Sequence, residues 1–314
     1  MTRRRLGFWA AGVVGLAWIL LVVPVTTVNG QDPSSDSEST HPLDRIAVIG
    51  ASASSGWGVV LRYVDEQDMV TTQTASMRDV IEEVIQVDDA TITGTGSSVF
   101  FMNPLPIGKQ QINMSQAFQP TLVIALDYLF WYGYGNRDAE GHAIPRGDQG
   151  QAARLALLEQ GLENLNTFSC PVVVGDFPDV SDAIGYMLSA SQVPSPTTLK
   201  ALNDRVKAWA SARPNVTVIE MSTLLQDMRS DQVFKAGRQQ FPKGAKSRFM
   251  QRDNLHPTLE GLIVLVQETS DHLATGSDEI DHAQFDFKLE AVRDRLYESR
   301  KPEGLTSKPY TGTN

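Results

Sequence analysis

The strongest constraint on the fold is a regular alternation between short apolar segments and longer segments with helical periodicity. The short segments are rich in Val, Ile and Leu and show little polar alternation, which is typical of strands buried on both faces. Four of them predict strands, at residues 45–49, 121–126, 171–174 and 216–220, and residues 98–102 are a weaker fifth candidate. Strands that alternate with amphipathic helices favour an α/β fold, in which helices cover both faces of a parallel sheet.

Two of the intervening segments each carry a single apolar stripe. In both stripes the residues recur at intervals of three and four. The first segment contains Leu155, Leu158, Leu162 and Leu165, and the second contains Leu199, Leu202, Val206 and Trp209. This spacing places them on one face of an α-helix. Ser195 and Pro196 are residue types preferred at the N-cap and the first position of a helix, so we expect the second helix to begin there.

Composition excludes several classes of protein. The chain has 314 residues, 41% of them hydrophobic, which is enough to bury one substantial core. Its one cysteine, Cys170, cannot form an internal disulfide or a paired-cysteine zinc or redox site. The net charge of −10 argues against a nucleic-acid partner, because nucleic acid requires a basic surface.

The first 30 residues have the pattern of an export signal. Three arginines precede the uncharged apolar run 6–23, and Val28 and Gly30 stand at the −3 and −1 positions of a cleavage site before Gln31. The alternative is an uncleaved membrane anchor, because a run of 18 residues is at the lower limit for spanning a bilayer. Both interpretations predict that the rest of the chain is exported, to the periplasm, the cell surface or the medium.

The remaining chain divides into four parts. Residues 31–42 contain no apolar side chain and predict a disordered tether, whereas residues 43–274 carry the α/β pattern and predict one domain. A C-terminal amphipathic helix is expected within residues 275–300, with one apolar side formed by Ile280, Phe285, Leu289, Val292 and Leu296. The Pro/Gly/Thr-rich segment 301–314 predicts a flexible tail.

The turn after the first predicted strand is the first candidate for a functional site, because function collects at the carboxyl ends of parallel strands. Residues 50–58 contain three glycines and three serines. Glycines at such a turn can bring the backbone close to a pyrophosphate, but no acidic ribose ligand follows a second strand. A serine at the turn can instead act as a nucleophile, with its own N–H available to an oxyanion. A turn of small residues without chemistry is the third interpretation.

The second candidate lies near the end of the predicted domain. Asp253 precedes His256 by three residues, and Pro257 is suited to the first position of the apolar helix that follows. At this spacing the carboxylate can accept a hydrogen bond from the Nδ1–H of the histidine, which leaves Nε2 as a base. Of the five histidines, only His256 has an aspartate at that offset.

These two segments resemble the first and last sequence blocks of the SGNH (GDSL-like) hydrolase family. Residues 50–58 correspond to the block Gly-Asp-Ser-Leu-x-x-Gly-x-Gly, and residues 253–257 correspond to Asp-x-x-His-Pro. The two blocks bracket the predicted sheet, so the resemblance covers about residues 43–274. It implies a flavodoxin-like three-layer α/β/α sandwich. It also implies that Ser52 is the nucleophile, His256 the general base and Asp253 the acid that orients it.

The chain departs from the family pattern between these blocks. Ala51 stands where the family has the aspartate that supports the turn. The resemblance also implies an oxyanion-hole glycine after the second strand, which would act together with the N–H of Ser52. We assign this role to Gly108, in a loop before the helical pattern 109–118, rather than to Gly96. The asparagine that the family carries after its third strand has no counterpart.

Asp127 and an aromatic cluster follow the strand 121–126 instead. An ionised carboxylate cannot donate to an oxyanion, so we expect Asp127 to point away from Ser52 and either to tie down the loop 131–135 or to contact substrate hydroxyls. Capping of a nearby turn is the alternative. On the first interpretation, Asp127→Asn leaves ester hydrolysis nearly intact. Trp131 is a candidate for substrate stacking, although a place in the core is favoured for the cluster.

The resemblance implies an enzyme that cleaves a carboxylic ester through an acyl-enzyme intermediate. It implies no metal and no organic cofactor. The substrate class stays open between a small ester, a lipid ester and an acetylated polysaccharide, and the only membrane contact expected is the uncleaved N-terminal anchor. The alternative is a non-catalytic module of the same fold that binds carbohydrate or a surface.

Overall fold

The computed structural model describes residues 41–230, 232–303 and 308–309, which belong to one compact unit. The expected export signal or anchor (1–30) and residues 31–40 of the expected tether lie outside the described residues. Within the described part of the chain, no helix combines the length and the apolar character needed to cross a membrane.

The structure contains ten strands and nine α-helices in its described residues. The strands are β1 (Arg45–Val48), β2 (Val60–Val64), β3 (Val70–Thr74), β4 (Thr91–Gly94), β5 (Leu122–Ala125), β6 (Val172–Gly175), β7 (Val216–Ile219), β8 (Phe234–Ala236), β9 (Gln239–Phe241) and β10 (Lys308–Pro309). The helices are α1 (Met77–Val84), α2 (Pro104–Phe118), α3 (Phe130–Tyr134), α4 (Gln151–Leu165), α5 (Pro196–Ser211), α6 (Met221–Arg229), α7 (Lys246–Phe249), α8 (Leu259–Gly276) and α9 (Leu289–Ser299).

Five parallel strands form the central sheet, in the order β4-β1-β5-β6-β7. Numbered among themselves along the chain, these strands lie in the order 2-1-3-4-5, which is the flavodoxin-like arrangement. In this arrangement the chain reverses direction across the sheet next to β1, and ligands bind at the carboxyl ends of the strands on either side of that point. The predicted α/β fold class is therefore confirmed.

Helices cover both faces of this sheet. Side chains alternate along β1, so that Ile46 and Val48 face a core formed with α1, α8 and α9. Ala47 and Ile49 face a second core, to which α4 and α5 contribute their apolar stripes. The α5 helix begins as expected, because the hydroxyl of Ser195 accepts a hydrogen bond from the Thr198 N–H.

The sheet differs from the prediction at its edge. Residues 98–102 do not form a strand but a turn and a short 3₁₀-helix, Phe100–Met102. The fifth strand of the sheet is instead β4, which the sequence analysis did not predict. Among the described residues it pairs only with β1, and it contains one large apolar residue, Ile92. An edge strand has only one neighbour and buries fewer side chains, which explains its weak sequence pattern. The antiparallel hairpin β2–β3 was also not expected from the sequence.

The C-terminal helix is shorter than predicted. It begins at Leu289, and only Leu289, Val292 and Leu296 of the expected stripe belong to it. Ile280 and Phe285 are buried as expected but come from the preceding extended segment, where Asp281 caps a 3₁₀-helix. In the segment predicted to be a flexible tail, β10 pairs with β2.

Candidate active site

The turn that follows β1 presents Ser52 at the carboxyl edge of the sheet. Backbone bonds from Ser55 N to Ala51 O (3.0 Å) and from Trp57 N to Ser52 O (2.9 Å) close the turn tightly. Gly50 has a φ of 152°, and a Cβ at this position would collide with side chains of Ser54 and Asp127. The turn therefore requires a glycine immediately after the strand.

His256 joins Ser52 to Asp253 in a chain of hydrogen bonds. The Nε2 atom of His256 lies 2.9 Å from the Ser52 Oγ, and Nδ1 lies 2.7 Å from the Asp253 Oδ2. The imidazole is buried, with 3% of the residue exposed. A carboxylate can only accept from Nδ1–H, so Nε2 carries the lone pair that faces the serine hydroxyl. The structure thus brings together the three residues that the sequence singled out.

The Asp253 carboxylate is held in its charged form. Burial disfavours that form, but hydrogen bonds from the His256 ring and from the backbone N–H groups of His256 and Leu255 outweigh burial and lower the pKa of Asp253 below its ordinary 3.8. The carboxylate therefore stays ionised at neutral and mildly acidic pH and keeps the imidazole in one tautomer.

Gln251 connects the loop of His256 to the turn of Ser52, a role that sequence reasoning missed. Its Nε2 donates to the backbone oxygens of Trp57 (2.7 Å) and Pro257 (2.8 Å), and its N–H donates to the His256 oxygen (2.8 Å). No local motif marks this glutamine, because its partner Trp57 is 194 residues away. The helix α8 starts two residues later than expected, at Leu259 instead of Pro257, with Thr258 as its N-cap.

Asp127 lies under the turn of Ser52 and not beside a substrate. Its Oδ1 accepts hydrogen bonds from the Ala51 N–H (3.0 Å) and the Ser54 hydroxyl (2.6 Å), and its Oδ2 accepts from the N–H groups of Ala53 (2.8 Å) and Ser54 (3.2 Å). The residue is 7% exposed. The expected contact with substrate hydroxyls or with the loop 131–135 is therefore wrong, and the alternative of turn capping is correct. Asp127 supports the turn that Ala51 cannot support.

This placement reverses the expected effect of Asp127→Asn. Each carboxylate oxygen of Asp127 now accepts from two donors, and an asparagine replaces one of these oxygens with an NH₂ group that cannot accept. Each buried donor left without an acceptor lowers the free energy of unfolding by about 1–3 kcal/mol. We expect a lower melting temperature and a loss of kcat of roughly tenfold or more, since the turn carries Ser52, the expected nucleophile.

The matched control is Asp176→Asn. Asp176 is also a buried aspartate at the end of a parallel strand, where it accepts from the N–H and hydroxyl of Ser222. This variant is expected to lose stability with a smaller effect on kcat. Thermal unfolding and ester hydrolysis measured on both variants test the difference, and full activity of Asp127→Asn would contradict it.

Gly108 does not lie where the oxyanion assignment requires. It is inside α2, beyond the first turn, and a Cβ at this position would collide with the hydroxyl of Tyr132. Backbone N–H groups at such a position bond within the helix. The assignment to Gly108 is therefore corrected, because the helix begins at Pro104 and not after a loop that ends at this glycine.

Gly96 occupies the place next to the serine turn instead. A Cβ on Gly96 would lie 2.7 Å from the carbonyl carbon of Ser54 and from the nitrogen of Ser55. The neighbouring Ser97 N–H bonds to the Gly50 oxygen at 3.0 Å, which fixes this loop against the turn. Within the described part of the chain, the N–H groups of Gly96 and Ser52 have no acceptor.

The aromatic cluster after β5 belongs to the core. Tyr128, Tyr132 and Tyr134 are fully buried, and Trp131 is 6% exposed. The Trp131 ring packs edge-on against Phe130 and lies 5.7 Å, between ring centroids, from Phe101. With its ring buried against Phe101 and Phe130, Trp131 packs in the core, and its expected role in substrate stacking is corrected.

Among the residues that the structure describes, one group of side chains has the spacing of a metal site. Potential ligand atoms of Asp138, Glu140 and His142 lie within 4.8 Å of one another on a largely exposed loop. The Asp138 carboxylate is already bonded to the N–H groups of Glu140 and His142. This loop is not part of the Ser52 site.

Comparisons with known proteins find similarity in structure and not in sequence. No protein-family model matches the chain, and no curated protein does either. The chain is similar to BT4096, a gut microbial diltiazem-metabolizing enzyme, with a TM-score of 0.46 and 13% identity over 74% of this chain and 47% of that one. It thus spans about half the length of BT4096.

A second similar structure is the psychrotrophic esterase EstA from Pseudoalteromonas sp., inhibited by monoethylphosphonate. The TM-score is 0.39 and the identity is 13%, over 74% of this chain and 97% of that one. The flavodoxin-like sheet, the serine in the turn after β1 and the Asp-x-x-His segment before α8 together give the chain the α/β/α fold and the site placement that its resemblance to the SGNH hydrolases implies.

Proposed function

We propose that this protein is an exported serine esterase that hydrolyses carboxylic esters through an acyl-enzyme intermediate. The observation that carries the proposal is the hydrogen-bonded chain from Asp253 through His256 to Ser52. A serine is a weak nucleophile unless a base takes its proton, and an imidazole is an effective base when a third group orients it. The export signal expected in residues 1–30 supports the proposed location.

In the first half of the reaction, the Ser52 Oγ attacks the ester carbonyl carbon while its proton passes to the Nε2 of His256. The tetrahedral intermediate collapses when the protonated imidazole gives that proton to the departing alcohol. In the second half, water attacks the acyl-serine while His256 takes a proton from the water. The bond between the acyl carbon and the Ser52 Oγ then breaks, the imidazolium returns the proton to that oxygen, and the carboxylic acid leaves. Asp253 stays ionised throughout and stabilises the imidazolium.

The N–H groups of Ser52 and Gly96 are the proposed oxyanion donors. Both are backbone groups without an acceptor among the described residues, and the packing of Gly96 on the turn holds them rigidly. Backbone donors held in place before the reaction stabilise the developing negative charge, and one such donor contributes about 3 kcal/mol. The four hydrogen bonds of Asp127 direct its carboxylate toward the turn, which keeps its negative charge bonded to N–H and O–H groups.

Labelling with a fluorophosphonate tests this function without knowledge of the natural ester. The full chain is expected to gain one covalent phosphonate, and peptide mass spectrometry should place it on Ser52. The Ser52→Ala variant should not be labelled. If the folded protein stays unlabelled, or if the label lies on another serine, the esterase proposal fails and the alternative of a non-catalytic binding module is favoured.

A further inference from the structure

An apolar cavity of about 100 Å³ lies beside the proposed catalytic residues. Ala53, which follows the nucleophile, and Leu255 and Pro257, which flank His256, contribute to its lining. One side of the cavity is therefore formed by the chain neighbours of Ser52 and His256. We call it the α6–α8 cavity, after the helices that supply most of its other residues.

The two helices line the cavity with the same spacing. Met221, Leu224, Leu225 and Met228 recur along α6 at i, i+3, i+4 and i+7, and α8 contributes Gly261, Val264, Leu265 and Glu268 at the same intervals. Each set occupies one helix face over two turns, a length of about 10 Å. Both helices begin at the carboxyl edge of the sheet, so the cavity extends from the Ser52 site toward the interior.

The chemistry of the lining favours a hydrocarbon occupant. Glu268 is the one charged residue in the lining, and its carboxylate already accepts a hydrogen bond from the Gly237 N–H at 2.7 Å. A sugar in this cavity would have hydroxyl groups without hydrogen-bond partners, and each such group would lower the free energy of binding that the sugar gains. Apolar cavities of this scale stay dry and bind small apolar molecules.

Methionine gives the cavity an adaptable lining. Met221, Met228 and Met250 are all partly exposed, and each contributes to the lining. The unbranched thioether side chain has three rotatable bonds and fills irregular space, which suits a flexible chain better than a rigid ring.

On these grounds we propose that the α6–α8 cavity holds the acyl chain of the substrate, so that the enzyme prefers esters of linear fatty acids to acetyl esters. This inference rests on the proposed esterase function for its catalytic part. It concerns only the acyl side, since the alcohol leaves from the opposite side of the carbonyl carbon. Each methylene that enters the cavity is expected to strengthen binding about fourfold.

Binding of a fatty acid tests the cavity without any catalysis. The full-length Ser52→Ala protein is titrated calorimetrically with sodium decanoate and with sodium butyrate. We expect one decanoate per chain and much weaker binding of butyrate. In the Ser52→Ala protein, the second substitution Leu224→Trp places a larger side chain in the cavity and should weaken decanoate binding at least tenfold. The control is Leu155→Trp in the same protein, at a partly buried leucine of α4 on the other face of the sheet, and it should leave decanoate binding unchanged.

Hydrolysis gives the second measurement. With p-nitrophenyl esters, wild-type kcat/KM is expected to be at least tenfold higher for octanoate than for acetate, and Leu224→Trp should lower that ratio. Hydrolysis of both esters with a ratio near one, unchanged by Leu224→Trp, would overturn the cavity proposal and leave the esterase proposal standing. Absence of all hydrolysis and labelling would overturn the esterase proposal, while decanoate binding would still decide whether the cavity holds acyl chains.

Discussion

Replacing Ser52 with alanine is expected to reduce kcat for p-nitrophenyl ester hydrolysis by on the order of 10⁵-fold or more, to near the background rate. In the proposed mechanism, the variant removes the oxygen that would form the acyl-enzyme and the hydroxyl proton that His256 would accept. Its hydroxyl makes a single side-chain hydrogen bond among the described residues, to His256, so the melting temperature should change little. Initial rates and thermal unfolding measured on the same preparation check both expectations.

Two neighbouring serines serve as controls. The Ser55 hydroxyl donates to the Ser52 oxygen at 3.0 Å, and Ser55→Ala should keep most of the activity. The Ser54 hydroxyl is buried and donates to Asp127, so Ser54→Ala should lose stability but still hydrolyse ester. Loss of all activity in Ser54→Ala together with an active Ser52→Ala would show that the nucleophile is misassigned.

The second large effect is expected for Asp253→Asn, with a loss of kcat of about 10⁴-fold. The Asp253 Oδ1 accepts from the backbone N–H groups of Leu255 and His256, so the amide oxygen of an asparagine should take that position. Its NH₂ group would then face Nδ1 of His256 and favour the tautomer with hydrogen on Nε2. That imidazole cannot accept the proton of Ser52.

Asp182→Asn controls for the loss of one negative charge near the site. The Asp182 carboxylate bonds to Lys246, and its backbone oxygen lies 3.4 Å from the Nδ2 of Asn254, but it does not contact His256. This variant should keep nearly full activity at pH 7 and above, where Asp253→Asn should stay inactive. Equal activity in the two variants would mean that Asp253 does not orient the base.

Several features of this protein could be predicted from the sequence because they depend on local spacing. The buried strands β1, β5 and β6 appear as short apolar runs, since each has a neighbour on both sides in the sheet and packs under helices on both faces. The edge strand β7 is only partly buried, but its sequence Val-Thr-Val-Ile is rich in β-branched residues. Asp253 and His256 are three residues apart, so a single turn brings Nδ1 to the carboxylate. The requirement for glycine after β1 is likewise a property of one turn.

The tertiary structure decided the rest, because the contacts join segments that are far apart in the chain. Ser52 meets His256 across 204 residues, and Asp127 reaches the serine turn across more than 70. Hydrophobic periodicity reports only on contacts between near neighbours in the chain. The sequence therefore could not show that Asp127 provides the hydrogen bonds that Ala51 cannot provide, or that Gly96 and not Gly108 lies against the turn. The α6–α8 cavity likewise exists only where two separate helix faces meet the carboxyl edge of the sheet, since neither face forms a cavity alone.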